Sequence, residues 1–273
     1  MSNSVISGTQ LSVKGKHNST IAWYTDQNYS MYLVENKLVN TTNTDITINL
    51  YAVFSYGAYA SAPQTYVVSI INNSYYAEID AVSGNELLLD LRDLITDTHT
   101  YITSYEDCKE YLPYTDEDLN NSNRMILFYT GESIEKSDDL SNDWNREHVW
   151  CRSQGWFQYS GAGADLHHIR PCDISVNSSR GNTPFGESEE YYEPDDSYKG
   201  DVARIIFYLL VRYEEADDCD LSNCVESIEM LLEWNELDPV DAGEEYRNDY
   251  IETIQGNRNP FIDNEDYAEA IWG

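Results

Sequence analysis

The chain has 273 residues, 41% hydrophobic and 13% aromatic, which is enough apolar material for a packed core and argues against global disorder. Sixteen Lys and Arg stand against 49 Asp and Glu, and the formal net charge of −33 should repel a polyanion at long range while suiting a solvated, salt-tolerant surface. No apolar run approaches the ~18 residues of a membrane-spanning helix, and no P-loop, dinucleotide fingerprint or Cys-x-x-Cys motif occurs, which removes the commonest nucleotide and redox readings.

In chain order, the opening residues carry neither a basic n-region nor an apolar h-region, so the chain reads as cytosolic or as a form from which an export signal has been removed. Residues 1–74 are β-rich. Runs at 10–14, 30–34, 45–56 and 64–71 favour Val, Ile, Thr and Tyr between Asn, Gly and Ser clusters. No catalytic constellation appears there, and a small accessory β-domain is expected. From residue 75 the texture changes. Leu87, Leu88, Leu91 and Ile95 have helical spacing over 86–95, 116–123 is a polar turn region, 125–129 reads as a short strand, and 131–145 as a polar loop. Val149 and Trp150 read as one strand and 165–170 as a second. Asp173 is a plausible N-cap for a helix carrying Asn177, with Arg180 on the same helical face. Helices are expected over 202–213, 222–234 and 241–255, the last stopped by Gly256. Their aliphatic stripes are core, and their Asp/Glu-rich faces are solvated surface. The five cysteines are Cys108, Cys151, Cys172, Cys219 and Cys224. They permit an oxidising compartment, and Cys219 and Cys224 are close enough to close a short loop.

Chemistry concentrates in one window: Asn145-Arg146-Glu147-His148-Val149-Trp150-Cys151, then Asp165-Leu166-His167-His168-Ile169-Arg170, then the stretch from Asp173 to Asn182. Between residues 142 and 186 four arginines (Arg146, Arg152, Arg170, Arg180) balance four acids, so the net negative charge lies elsewhere. Arginine is the side chain suited to bidentate phosphate contacts. Phosphodiester hydrolysis needs a base near neutral pH and electrostatic stabilisation of the phosphate and leaving oxygen. Mg²⁺ needs only one or two protein oxygens. His148, Glu147, Asn177 and Arg180 supply each type, although neighbours on a regular strand face opposite ways. Glu147 and His148 therefore serve one site only across an irregular backbone or by flanking a shared phosphate.

This window resembles the endonuclease I family of secreted bacterial nucleases. So do Tyr75-Tyr76-Ala77 with Gly84, Tyr114-Thr115-Asp116-Glu117-Asp118, Tyr129-Thr130-Gly131, Gly200-Asp201-Val202-Ala203-Arg204, Leu231-Leu232-Glu233-Trp234-Asn235, Asp238-Pro239, and the stretch from Gln255 to Asp263. The resemblance covers about residues 75–273 and implies an α+β fold: a ββα-metal (His-Me finger) core with flanking helices, preceded here by the small β-domain of 1–74. It implies His148 as general base, Glu147 and Asn177 as ligands of one divalent cation (Mg²⁺, with Mn²⁺ or Ca²⁺ as alternatives), and Arg180 as a phosphate or leaving-group contact. Asp165, His167, His168 and Arg170 would brace the base or touch substrate. The implied activity is a secreted, metal-dependent endonuclease of little base selectivity acting on DNA, with RNA as a further substrate, and with no membrane or protein partner.

Two positions depart from the family pattern. Cys151 stands where proline is usual, and Cys172 where a small hydroxyl residue is usual. Their expected strands are neighbours, so a cross-strand disulfide is one reading and a zinc site with His167 or His168 a weaker one. The cysteines and the acidity also leave open an extracellular binding protein that keeps a nuclease scaffold without activity.

Overall fold

The structure, a computed structural model, describes residues 3–6, 20–24, 46–56, 59–60, 64–71, 74–76, 79–136, 144–155, 157–213 and 220–273. The chain divides into two compact units, Met1–Glu78 and Ile79–Gly273. The fold is α+β.

In the first unit, strands β1 (Asn3–Ile6), β2 (Thr20–Tyr24), β3 (Ile46–Tyr56), β4 (Tyr59–Ala60) and β5 (Gln64–Ile71) form one sheet in the order β1-β5-β3-β2, with β4 on the end of β3. β3 lies between two antiparallel neighbours, and β1 runs parallel to β5. The β-rich runs expected at 45–56 and 64–71 are β3 and β5. Those expected at 10–14 and 30–34 lie outside the described residues.

The second unit opens with α1 (Gly84–Thr98), whose Leu87, Leu91 and Ile95 form a buried stripe, as their spacing predicts. α2 (Asp107–Thr115) follows, with Pro113 near its end. β6 (Arg124–Ile126) pairs with β7 (Ser133–Glu135). A hairpin of β8 (Trp144–His148) and β9 (Ile169–Asp173) encloses the short α3 (Arg152–Gly155) and leads into α4 (Ile174–Arg180). Then come α5 (Lys199–Tyr213), α6 (Ile228–Leu237), α7 (Ala242–Gln255), α8 (Pro260–Asp263) and α9 (Asp266–Trp272). All of α5 except Arg212 is buried, because α1, α6 and α8 pack around it. α7 begins on a capping box between Asp241 and Glu244 and ends at Gly256, whose φ of 88° is left-handed. A core of Cys108, Leu112, Met125, Leu127, Trp144, Ala164, Leu166, Ile169 and Ile251 ties the start of both hairpin strands to α2 and α7.

Several elements differ from the sequence expectation. β8 is the polar run ending at His148, whereas Val149 and Trp150 form the buried bend beyond it. Residues 165–168 are a turn and not a strand: Asp165 accepts the His167 amide on its side chain and the His168 and Ile169 amides on its carbonyl. Tyr129 closes a turn with φ of 69° and does not extend a strand. α6 starts at Ile228, capped by Ser227, after a 3₁₀ turn at Leu221–Asn223.

Candidate active site

Two strands and a helix build the site. β8 and β9 pair antiparallel from Trp144 opposite Asp173 to His148 opposite Ile169. α4 follows β9 without a loop because the Asp173 carboxylate accepts the amides of Ser175 and Val176, capping the helix as its sequence predicts. The helix packs on both strands.

Alternation along β8 sends Asn145 and Glu147 toward α4. Asn177 Nδ2 donates to Asn145 Oδ1 at 2.8 Å, and Arg180 Nη1 donates to Glu147 Oε1 at 2.8 Å. Tyr129 also donates to Glu147 Oε1, at 3.0 Å, from its left-handed backbone position. Glu147 is 3% exposed. Burial raises its pKa, while the Arg180 charge and the bonds from Tyr129 and Arg180 oppose the rise. Both contacts fall on Oε1, and the Asn177 contact uses the amide nitrogen. Among the described residues, Glu147 Oε2 and Asn177 Oδ1 are two oxygens on this face able to coordinate a hard cation.

His148 lies on the other face, with Arg146. Its Nε2 sits 3.1 Å from the Gly163 carbonyl and so carries the hydrogen, which leaves the lone pair on Nδ1. Gly163 has no room for a side chain, because a Cβ would collide with the Gln158 carbonyl. The His148 ring stacks on Tyr105 at 5.5 Å and meets His168 edge-on at 5.5 Å. Burial, then the neighbouring His168, Arg152 and Arg146, push its pKa down to about 3 against the Gly163 bond, so the ring is a neutral base across the physiological range. Glu147 and His148 thus share a strand and not a face. Among the described residues β8 pairs with β9 along one edge, and its other edge has no strand partner.

The remaining expected contacts divide clearly. His168 is buried, donates from Nδ1 to Ala162 O at 2.6 Å and accepts the Trp150 amide on Nε2 at 3.0 Å, which fixes the bend after His148. His167 faces the Asn257 carbonyl at 3.1 Å. Asp165 accepts from Tyr208 at 2.7 Å, Tyr213 at 2.8 Å and Gln255 at 2.9 Å, a satisfied carboxylate joining α5 to α7. Arg170 is paired with Asp116 at 2.8 Å and Asp201 at 3.0 Å. His168 is therefore the one of these four that borders His148, and the other three hold the frame.

Arg180 lies on the α4 face of β8, beside Glu147. It was expected on phosphate, but it is 2% exposed and donates to Glu147, to His148 O at 3.0 Å and to Val149 O at 2.8 Å. Being one turn beyond Asn177 on a helix laid against β8, it braces Glu147 and the end of the strand. The outward arginines are Arg146, whose guanidinium lies 3.6 Å from the Tyr105 ring centroid, and Arg152, 4.3 Å from that of Tyr159. Neither makes an ion pair among the described residues, and the sequence offered both among the four arginines of the window without assigning either an individual role. The signal for Arg146 was its place two residues before His148 on one strand. Tyr129 falls in the family-like stretch Tyr129-Thr130-Gly131, and nothing in that stretch alone points to its bond with Glu147.

The cysteine expectations also change. Cys151 and Cys172 are free, buried thiols. Cys172 lies opposite Asn145, while Cys151 lies beyond the last pair of the hairpin, so the antiparallel register separates them. Among the described residues no group of three His, Cys, Asp or Glu side chains forms a metal cluster, so the alternative zinc site is not built. Cys224 is buried, and Cys219 lies outside the described residues.

The family profile described as Endonuclease I matches residues 83–266. The chain is 42% identical over 259 residues to an extracellular ribonuclease of Bacillus amyloliquefaciens, covering 82% of this chain and 89% of the relative. It is 43% identical over 228 residues to an extracellular ribonuclease of Bacillus subtilis (strain 168), covering 73% and 78%. A shorter match, 25% identical over 125 residues, is to an Endonuclease-1 of Buchnera aphidicola subsp. Baizongia pistaciae (strain Bp), covering 39% and 49%. On the profile match and the extent of identity, the chain belongs to the endonuclease I family.

Proposed function

We propose that the chain is an exported endonuclease that cuts RNA and DNA by attack of water on the phosphodiester, from a ββα-metal (His-Me finger) site. One observation carries the reading: His148 commits Nε2 to Gly163 O, leaving Nδ1 without a protein partner among the described residues, at the end of the strand that carries Glu147. The phosphate lies along the open edge of β8, reached by Glu147 and Asn177 from one face and by His148 from the other. His148 Nδ1 takes the proton from water, and the Gly163 carbonyl holds the resulting imidazolium by its Nε2–H. The anionic phosphate arriving beside the ring opposes the depression of its pKa. Arg146 and Arg152 are the cations placed to meet phosphate oxygens.

Glu147 Oε2 and Asn177 Oδ1 suit a cation that keeps most of its waters, with Mg²⁺ first and Mn²⁺ or Ca²⁺ as alternatives. That ion, when bound, supplies stabilisation of charge on the phosphate and leaving oxygen. Arg180 and Tyr129 hold Glu147 in place for it. The names of the two Bacillus relatives support export and an RNA substrate. Incubation with single-stranded RNA and with supercoiled plasmid, with Mg²⁺ and then with chelator, tests the reading. Cutting of both that stops on chelation is expected. No cutting across a wide range of salt and divalent ions would overturn it in favour of a binding protein on a nuclease scaffold.

A further inference from the structure

Beside His148 lies a group of rings and cations that the hydrolytic reading does not use in full. Tyr159 is 56% exposed, in the loop that leads from α3 to the 3₁₀ turn Gly161–Ala164, and that turn carries the Gly163 carbonyl holding His148. Its ring contacts Tyr105 at 4.9 Å, and Tyr105 in turn stacks on His148. Arg152 caps the Tyr159 ring, and Arg146 caps Tyr105 while donating to its carbonyl. Tyr159 is thus an open aromatic surface one ring removed from the base, and its neighbouring guanidiniums fix its position.

The charge pattern sharpens the point. This chain carries 49 acids against 16 Lys and Arg. Arg170, Arg180, Arg204, Arg247 and Arg258 are all paired with carboxylates. Arg146 and Arg152, like Arg124 and Arg212, make no ion pair among the described residues, and of these four Arg146 and Arg152 are the two set over Tyr105 and Tyr159 beside His148. In so acidic a chain, two arginines with no ion pair among the described residues, set over adjacent tyrosines beside His148, fit one chemistry. A base has a π-face for the ring, and its phosphate has oxygens for the guanidinium.

We infer that Tyr159, supported by Arg152 and Tyr105, stacks an unpaired nucleobase next to the scissile phosphate, so that the protein selects single-stranded or locally unpaired nucleic acid over duplex. The inference rests on the nuclease reading. A base within a duplex is already stacked and paired, and it must leave that stack to reach the ring. No base-edge contact is needed, so the selection is for strandedness and not for sequence.

Two measurements test this. In the first, cleavage of a single-stranded oligonucleotide is compared with cleavage of the same strand in a perfect duplex, for wild type, Tyr159→Ala and Tyr159→Trp. Base–aromatic stacking gives an expected rise in KM of about tenfold on single strands for Tyr159→Ala, with duplex cleavage within about twofold of wild type and the preference retained by Tyr159→Trp. An unchanged ratio of the two substrates, including equal loss on both, overturns the inference. In the second, a single strand carrying 2-aminopurine is bound to His148→Ala protein, where the strand stays intact. Quenching that disappears in His148→Ala/Tyr159→Ala is expected, and quenching that persists overturns the inference. This second arm does not require turnover, so absence of cutting with stacking present would strike the nuclease reading alone.

Discussion

Replacing Arg180 with Met separates a buried brace from a phosphate contact. The guanidinium is 2% exposed and serves Glu147, His148 O and Val149 O. Met keeps much of the volume but leaves the Glu147 carboxylate buried with Tyr129 as its remaining partner. Breaking a buried pair by removing one member costs about 3–5 kcal/mol. At about 2–4 °C per kcal/mol for a domain of this size class, the melting temperature should fall by roughly 6–20 °C. Burial already raises the Glu147 pKa and Arg180 opposes that rise, so the carboxyl in Arg180→Met should take up a proton more readily. Activity should then fall at neutral pH and recover in part as pH rises. Adding Glu147→Gln removes the orphaned charge and should restore much of the melting temperature while leaving activity low. Circular dichroism melts and a pH series of initial rates are the assays. An Arg180→Met protein that melts like wild type and shows a raised KM at unchanged kcat would refute the brace and return Arg180 to the phosphate.

His148, His167 and His168 should stay neutral well below pH 6. His148 is lowered to about 3 and His167 and His168 to about 4, burial being the first cause in each. Nitrogen-15 NMR at pH 5.5 should show Nε2–H on His148 and His167 and Nδ1–H on His168, whereas imidazolium signals from these rings would contradict the burial. Because an unfolded histidine protonates near pH ~6.5, these rings contribute their full stability above that value and lose it as pH falls toward their folded values. Arg146→Ala and Arg152→Ala should each weaken binding of a single strand and reduce the slope of log affinity against log salt by about one, measured by titration at several ionic strengths, and an unchanged slope would place both off the phosphate. Alkylation followed by mass spectrometry of unreduced protein should find Cys151 and Cys172 as thiols that label after unfolding, since both are buried and burial pushes Cys172 up to about 12. A mass two hydrogens lighter, assigned to this pair, would contradict the register.

Among the helices around the core, α1 and α5 were legible from apolar residues at helical spacing, whereas α7 was legible from its limits, Asp241 and Gly256, because its buried face is polar apart from Ile251 (Glu244, Arg247, Asn248, Gln255). Asp173 as the cap of α4 was equally local. The hairpin was harder. β8 is polar after Trp144, with Asn145 and Glu147 toward α4 and Arg146 and His148 on the other face, so it shows no apolar alternation, and the apolar Val149 and Trp150 beside it gave the stronger strand signal. Leu166 and Ile169 likewise masked the Asp165 turn. α2 lacked a signal because Pro113 and charged residues interrupt its periodicity. The clustering of these residue types in one window was readable, and their partners were not. Which arginine is buried depends on α4 lying against β8, a long-range contact that separates Arg180 from Arg146 and Arg152. The two cysteines were rightly placed near the hairpin, but antiparallel register sends them to opposite ends of it.

Chemical rescue at residue 148 is the most direct test of the proposed chemistry. Cleavage of a single-stranded substrate by His148→Gly should drop by about 10²–10⁴-fold, the usual contribution of a positioned base. Free imidazole should restore it in proportion to the concentration of its neutral form, while Asn177→Ala should not respond to imidazole. Near-wild-type cutting by His148→Gly in the absence of imidazole would show that another group removes the proton from water.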